Sequence, residues 1–349
     1  MSKIKFWIKN ARDISLPQSA LPCLTAIVLC IGQDGFLWWL ALPVLLGVCT
    51  AHLGMNLADD YFDYKHDSRT RADVSSTSIR ARMEKCSYLG DPQDGKATIS
   101  QLGWAVVTFL GFAALMGCGA FIAQWFVHGW QAAMGIIIYA VLGLFVGISY
   151  SGKPLELGYH GLGELVIGLM FGPLNMLGVQ AALTGNTFSW PMLCMSVAIG
   201  CMVTNIVYVH SVMEVNADAE LGKMTFARLL QRVSKYSTLN TQLMIFFIGF
   251  FAIMPFILLG LGIVLGWWSP WYLFTLATLP MSVYLIHSTR LFAYGLPRND
   301  THRWWMGPMG DWEAYKKAGI DWFLYRWLLA RNICTFFCLI LMIIHLIQL

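Results

Sequence analysis

The chain is short of charge. Of its 349 residues, 57% are hydrophobic and only 12% are Asp, Glu, Lys or Arg, against about 25% charged in an ordinary soluble domain. The mean hydropathy is +0.60. This scarcity rules out an ordinary soluble domain and leaves a polytopic membrane protein, with the bilayer as its solvent and no nucleic acid expected as a partner. Nine cysteines are present, but no C-x-x-C pair. Cys23, Cys30, Cys49, Cys118, Cys194, Cys201, Cys334 and Cys338 lie inside apolar runs, where a thiol behaves as a small buried hydrophobe. No small-residue cleavage site closes a short apolar region after Lys3, Lys5, Lys9 and Arg12, so no cleaved signal is expected. A Walker phosphate loop is missing too, because Gly222-Lys223 lacks the upstream glycine.

What the sequence has in quantity is long apolar runs. Segments able to approach or span a bilayer fall at roughly 16–33, 36–58, 102–124, 130–150, 162–183, 190–213, 241–266, 271–287 and 327–347. The expected fold is therefore all-α: nine transmembrane helices in one bundle, with residues 1–349 forming a single membrane domain. The eighth run is short and carries Pro280. The seventh has Pro255 near its middle, where a kink is expected.

Charge sets the expected topology. With the N-terminus in the cytoplasm, the long inner loops are 59–101, 214–240 and 288–326. The outer loops, 34–35, 125–129, 184–189 and 267–270, contain no Lys or Arg, although the chain has 23. This is the positive-inside pattern, and Trp125, Trp130, Trp190, Trp267, Trp268 and Trp271 mark the outer interface as an aromatic belt. The loops 59–101 and 214–240 each follow the second helix of a four-helix set, a weak internal repeat in topology. Within 288–326, Trp304, Trp305, Trp312 and Trp322 accompany Arg298, Arg303, Lys316 and Lys317, and 311–325 reads as a short amphipathic helix anchored on the interface.

Two acidic stretches carry the chemistry. Asn56, Asp60, Asp63 and Asp67 are spaced i, i+4, i+7, i+11 and share one helix face. Carboxylates crowded there repel each other, and near a helix C-terminus they also oppose the macrodipole, so a cation is required. After the sixth run, His210, Glu214 and Asp218 follow each other at intervals of four, and Gly222-Lys223-Met224-Thr225 comes next. Solvated helix ends are the competing reading, but two such clusters in register on one membrane side argue against it. Hard oxygen ligands suit Mg2+, which binds through one or two carboxylates plus substrate phosphates; neither stretch has the glycine and twelve-residue spacing of a calcium loop. Arg69, Lys96, Lys153 and Lys223, flanking the acidic helices, could meet diphosphate oxygens, and topology signalling is the competing reading for each lysine. Between the fourth and fifth runs, the Gly- and Pro-rich stretch 150–164 ends with Glu164 entering an apolar helix, a costly placement unless it faces a polar cavity.

These residues resemble the UbiA superfamily of intramembrane prenyltransferases, and most closely its 1,4-dihydroxy-2-naphthoate polyprenyltransferase branch. The resemblance covers about Trp7 to Arg228. It is carried by Ala11-Arg12 with Ser15-Leu16-Pro17 and Leu21-Pro22, by Asp60-Tyr61-Phe62-Asp63-Tyr64-Lys65, by Tyr150-Ser151 through Gly161-Leu162-Gly163-Glu164, by Phe171-Gly172-Pro173, and by Glu214-x3-Asp218-x3-Gly222-Lys223-x-Thr225. This sequence departs from the family at Asp13 (usually proline), Asp59 (usually asparagine), Glu214 (usually aspartate), and His210 and Met213 (usually asparagine and arginine). The loop 288–326 lies outside the family pattern.

The resemblance implies Mg2+-dependent transfer of a polyprenyl group from polyprenyl diphosphate to an aromatic acceptor in menaquinone biosynthesis, with the acceptor losing its carboxylate. It implies Asn56, Asp60, Asp63 and Asp67 on one metal, and Glu214 and Asp218 on another. Asp60, Asp63 and Asp218 would be catalytic, with Tyr150 near the ionising carbon and Asn56, Arg12, Arg69, Lys96, Lys153 and Lys223 on the diphosphate. The expected setting is the bacterial cytoplasmic membrane with the site facing the cytoplasm, and no protein partner is inferred. Two alternatives stand beside it: another acceptor such as 4-hydroxybenzoate, and an ion-coupled secondary transporter, which would place its carboxylates at the bilayer midplane.

Overall fold

The computed structural model describes residues 3–66, 86–220 and 223–349, and among these there is no strand. Contacts divide the chain into two compact units, residues 1–157 with 174–189, and residues 158–173 with 190–349.

The first unit is built on Ala41–His66 (hereafter α3), which packs along Ile99–His128 (α4) more extensively than any other pair of helices. Lys3–Asn10 (α1) and Pro17–Cys30 (α2) precede α3, Trp130–Ser151 (α5) follows α4, and all are α-helical. Pro17 opens α2 at the position where a missing N–H costs nothing. A capping box opens α4: Thr98 Oγ1 accepts from Gln101 N at 3.2 Å, and Gln101 Oε1 accepts from Thr98 N at 3.0 Å.

The apolar run ends near Ala58, yet the helix continues to His66, so the acidic motif lies on a helix and not in a loop from residue 59 onward. The reason is packing. Tyr61 and Tyr64 sit against a small core of Ala11, Leu53, Leu57, Leu89, Ala97, Leu102 and Ala105, flanked by Phe6, Trp7 and Tyr88. At 26 residues and about 1.5 Å per residue, α3 is about 39 Å long, which exceeds a hydrocarbon core of about 30 Å. The helix is therefore about 9 Å longer than that core.

The fifth expected span is an α-helix, Gly163–Leu169 (α6), a π-turn at Met170–Leu174 around Pro173, and a second α-helix, Asn175–Thr184 (α7). The first unit contains α7, which packs on α2 and α5; the second contains α6.

The second unit is organised around Trp190–Met213 (α8), whose residues are buried along most of its length. Against it lie α6, Ser237–Val264 (α11) and Asp321–Ile347 (α14). A Cβ at Gly172 would stand 2.4 Å from Ser196 O and 2.6 Å from Gly200 Cα, so only glycine permits this approach to α8. The helix α11 runs through Pro255 as one element. It begins at Ser237, and the segment before it, expected as a loop over 214–240, holds two short helices, Val215–Glu220 (α9) and Phe226–Gln231 (α10).

Eight helical segments are long and apolar enough to cross a membrane among the described residues. The remaining run, expected at 271–287, is a 3-10 segment Pro270–Thr278 followed by Leu279–Ala293 (α12). Pro270 and Pro280 open these two pieces, and the pair ends six residues beyond the expected limit. The expected amphipathic helix over 311–325 is two elements instead. Trp312–Lys317 (α13) is a single short helix, Gly319 with φ +65° breaks the run, and α14 starts at Asp321, six residues before 327.

Candidate active site

Each unit holds one acidic cluster at the end of a long helix. In the first, Asp60 is buried, 2% exposed. One of its oxygens lies 3.3 Å from Arg12 Nη2, and the other accepts from the Tyr88 hydroxyl at 2.9 Å. The same Arg12 nitrogen donates to Asp59 Oδ2 at 3.0 Å and to the Asn56 carbonyl at 2.9 Å. Asp59 also accepts from the Ser151 hydroxyl at the end of α5. Burial alone would lower the Arg12 pKa, but Asp60 and then Asp59 outweigh it and hold the guanidinium charged. Burial, and then Asp60, push the Tyr88 phenol up, so it remains a donor.

Arg12 is placed by its own backbone, which has φ 60° directly before the 3-10 turn Asp13–Ser15 and turns the side chain toward α3. Asn56 Nδ2 fastens this turn by donating to Ala11 O at 2.9 Å and Ser15 Oγ at 3.1 Å. One turn earlier on the same face, buried His52 bonds Ser19 Oγ at 2.6 Å and Ser15 Oγ at 3.3 Å. Asp63 is half-buried one turn beyond Asp60. Tyr150, at the end of α5, is half-buried and interacts electrostatically with Arg12. Lys153 is exposed in the turn after α5, and Lys96 is exposed in the loop before α4. Asp67 and Arg69 lie outside the described residues.

In the second unit, α8 gives way to α9 at Glu214, which lies 3.2 Å from His210 Nε2 and is buried. His210 itself is wedged edge-on against Phe323 at 4.8 Å. Asp218 is 0% exposed, and neither of its carboxylate oxygens accepts a hydrogen bond among the described residues. Arg228 feels the Asp218 charge without bonding to it; burial and then Arg232 lower the Arg228 pKa while Asp218 pulls it back up. Lys223 is half-buried, and its backbone N–H donates to Asp218 O at 2.8 Å.

Glu164, expected to be costly on entering an apolar helix, is held by a backbone donor. Both of its oxygens accept from the backbone N–H of Phe226 at 3.1 Å, in buried surroundings. Phe226 is the first residue of α10, Thr225 is the N-cap, and its hydroxyl accepts from Arg228 N at 3.3 Å. The carboxylate thus satisfies an orphan helix donor and favours the positive helix end, which fixes where the stretch after Asp218 re-enters the unit.

Among the described residues no three His, Cys, Asp or Glu side chains converge as a metal site. The donors do fit a hard cation that a phosphorylated ligand completes: Asp218 is a buried carboxylate with no hydrogen bond, and Glu214 stands one turn before it. At Asp60 a guanidinium and a phenol already offset the charge.

Sequence reasoning missed four contributors. His52 was legible, four residues before Asn56 on the same face. Ser15 and Ser151 lie in stretches that carry the resemblance, but neither they nor Tyr88 showed these contacts, because their partners are remote in sequence.

Eight apolar spans define an integral membrane protein, with acidic side chains gathered at the ends of two of its long helices. The UbiA prenyltransferase family pattern matches residues 19–306, and the chain belongs to that family; it is a prenyltransferase. The 1,4-dihydroxy-2-naphthoate octaprenyltransferase of Mycobacterium tuberculosis is 27% identical over 227 residues, 65% of this chain and 70% of that one. The enzyme of the same name in Bacillus subtilis is 24% identical over 277 residues, 78% of each chain. The 2-carboxy-1,4-naphthoquinone phytyltransferase of Synechocystis is 30% identical over 159 residues, 45% of this chain and 48% of that one. A solved structure of a digeranylgeranylglyceryl phosphate synthase shares the fold, with a TM-score of 0.54, 16% identity and full coverage of both chains. Family membership sets aside the transporter reading.

The Glu164 contact yields a prediction. Glu164→Ala leaves the Phe226 N–H buried without its acceptor and should cost about 1–3 kcal/mol, with Glu164→Gln costing less. Thermal unfolding in detergent measures this; an alanine variant that melts with the wild type would remove the capping role.

Proposed function

We propose that the protein transfers a polyprenyl group from its diphosphate to 1,4-dihydroxy-2-naphthoate, in menaquinone biosynthesis, and that turnover requires Mg2+. The observation that carries the reading is Asp218, a fully buried carboxylate with no hydrogen bond among the described residues. Burying a carboxylate in this way is expensive unless a cation joins it. The acceptor is supported by the names of the relatives, which are naphthoate enzymes in two bacterial lineages and a naphthoquinone enzyme in a third.

Asn56, Asp60, Asp63 and Asp67 would hold metal at one cluster, and Glu214 and Asp218 at the other. The ion, when bound, neutralises the diphosphate and makes it a better leaving group. The remaining work belongs to the chain. Arg12, Arg69, Lys96, Lys153 and Lys223 supply donors to phosphate oxygens. The ring of Tyr150 offers its negative face to the allylic carbon as positive charge develops. Apolar helix surfaces keep water from that carbon and receive the polyprenyl tail.

Purified protein incubated with labelled geranylgeranyl or farnesyl diphosphate and a panel of aromatic acceptors tests this reading. The expected product is the prenylated naphthoate, identified by mass, formed with Mg2+ and lost on chelation. Asp60→Ala and Asp218→Ala should each lower turnover about a hundredfold or more. A 4-hydroxybenzoate product alone would reassign the acceptor, and near wild-type turnover in both variants would contradict the assignment of the clusters.

We further propose that the N-terminus and both acidic clusters face the cytoplasm of a bacterial inner membrane. Support comes from the outer loops, which hold none of the 23 basic residues. In a cysteine-free background, Asn186→Cys should react with a membrane-impermeant maleimide added to the outside of intact spheroplasts. Reaction only after lysis would invert the topology.

A further inference from the structure

The loop between α12 and α13 is held down by a buried ion pair. Arg326 on α14 is 0% exposed. It grips Asp300 with two nitrogens, at 2.7 and 3.1 Å, and gives its other bonds to Ser288 O at 3.2 Å and Trp322 O at 2.7 Å. Phe292 backs this arrangement, stacked on Trp322 at 5.5 Å with the rings 2° apart. Loop, α12 and α14 are thereby locked together, and the loop is prearranged before anything binds to it.

Over this lock lies a cleft of about 420 Å³ lined by Tyr284, His287, Leu291, Arg298, Asp300 and Arg303, within the range of roughly 300–1,000 Å³ usual for small-ligand sites. Its charges do not balance. Asp300 is already neutralised by Arg326, yet Arg298 Nε also reaches it at 3.0 Å. Arg298 spreads over the Phe292 ring at 4.9 Å, and Arg303 over the Tyr284 ring at 5.7 Å. Among the described residues Arg303 has no carboxylate within ion-pair distance. Two guanidinium groups therefore share one carboxylate, and a third guanidinium beside them pairs with none among the described residues. Two forks held on aromatic faces suit a phosphate better than a surface of lysines would. Trp304, 89% exposed, and Trp305 lie beside the cleft; such residues settle at the headgroup level of a bilayer.

We infer that this cleft is a binding site for a phosphate-bearing anion, built by Arg298 and Arg303 and separate from the acidic clusters. The phosphate has two sources, the headgroup of an anionic phospholipid or a free phosphate in solution. Calorimetric titration of the full-length protein in detergent separates them, with short-chain phosphatidylglycerol, short-chain phosphatidylcholine and inorganic phosphate as probes. Binding of phosphatidylglycerol in preference to phosphatidylcholine, weakened about tenfold or more in the Arg298→Gln/Arg303→Gln double variant, is the expected result and identifies the lipid source. Binding of inorganic phosphate alone, with the same dependence on both arginines, upholds the site with a soluble source. The Arg298→Lys/Arg303→Lys variant keeps the charge without the forks and should bind with intermediate affinity. Failure of all three probes, or equal binding by wild type and glutamine variant, would overturn the inference.

Discussion

Carboxylates kept out of water at the ends of membrane helices are the constraint around which this protein is built. A buried charge without a partner costs several kcal/mol, and the two units meet that cost differently. In the first, the chain supplies its own cation. Arg12 reaches Asp59 and Asp60 from a left-handed backbone turn, Tyr88 donates to Asp60, and Ser151 donates to Asp59. In the second, His210 lies against Glu214, but Asp218 is left with neither oxygen hydrogen-bonded among the described residues. A carboxylate held by a guanidinium and a phenol and one without a hydrogen bond present different problems to an incoming cation. At Asp218 it would relieve an existing cost; at Asp60 it would compete with a guanidinium and a phenol.

The surrounding scaffold serves these positions. The small core of Leu53, Leu57, Leu89 and Leu102, with Tyr61 and Tyr64 against it, keeps α3 helical past the apolar run and brings the 86–98 loop, with Tyr88, beside Asp60. Glu164 does similar work for the second cluster by pinning the first N–H of α10, so that the chain leaving Asp218 returns to a fixed point. Both devices hold an acidic helix end in place through contacts with backbone and aromatic groups.

Much of this was legible in the sequence because hydrocarbon imposes simple rules. Apolar runs marked eight helices long enough to cross a membrane among the described residues, and the period of the acidic positions placed Asn56, Asp60 and Asp63 on one helical face. The errors lay where polar residues remain helical for tertiary reasons. Residues 59–66 look like a loop unless Tyr61 and Tyr64 are known to pack. Arg326 looks like a loop cation until Asp300, 26 residues earlier, comes to meet it. Glu164 was readable as an expensive group, but its partner is a backbone N–H, which leaves no mark in a sequence. Tyr88 and Ser151 were hidden for a related reason, since they touch the acidic motif from 28 and 92 residues away.

The central claim is that buried Asp218 awaits a cation that a diphosphate brings or shares. The direct measurement is the affinity of the wild type and of Asp218→Asn for geranylgeranyl diphosphate, with Mg2+ and with chelator, by calorimetry in detergent. The account predicts that Mg2+ strengthens wild-type binding about tenfold or more, and that the asparagine variant loses most of this gain. Equal wild-type affinity with Mg2+ and with chelator would contradict it.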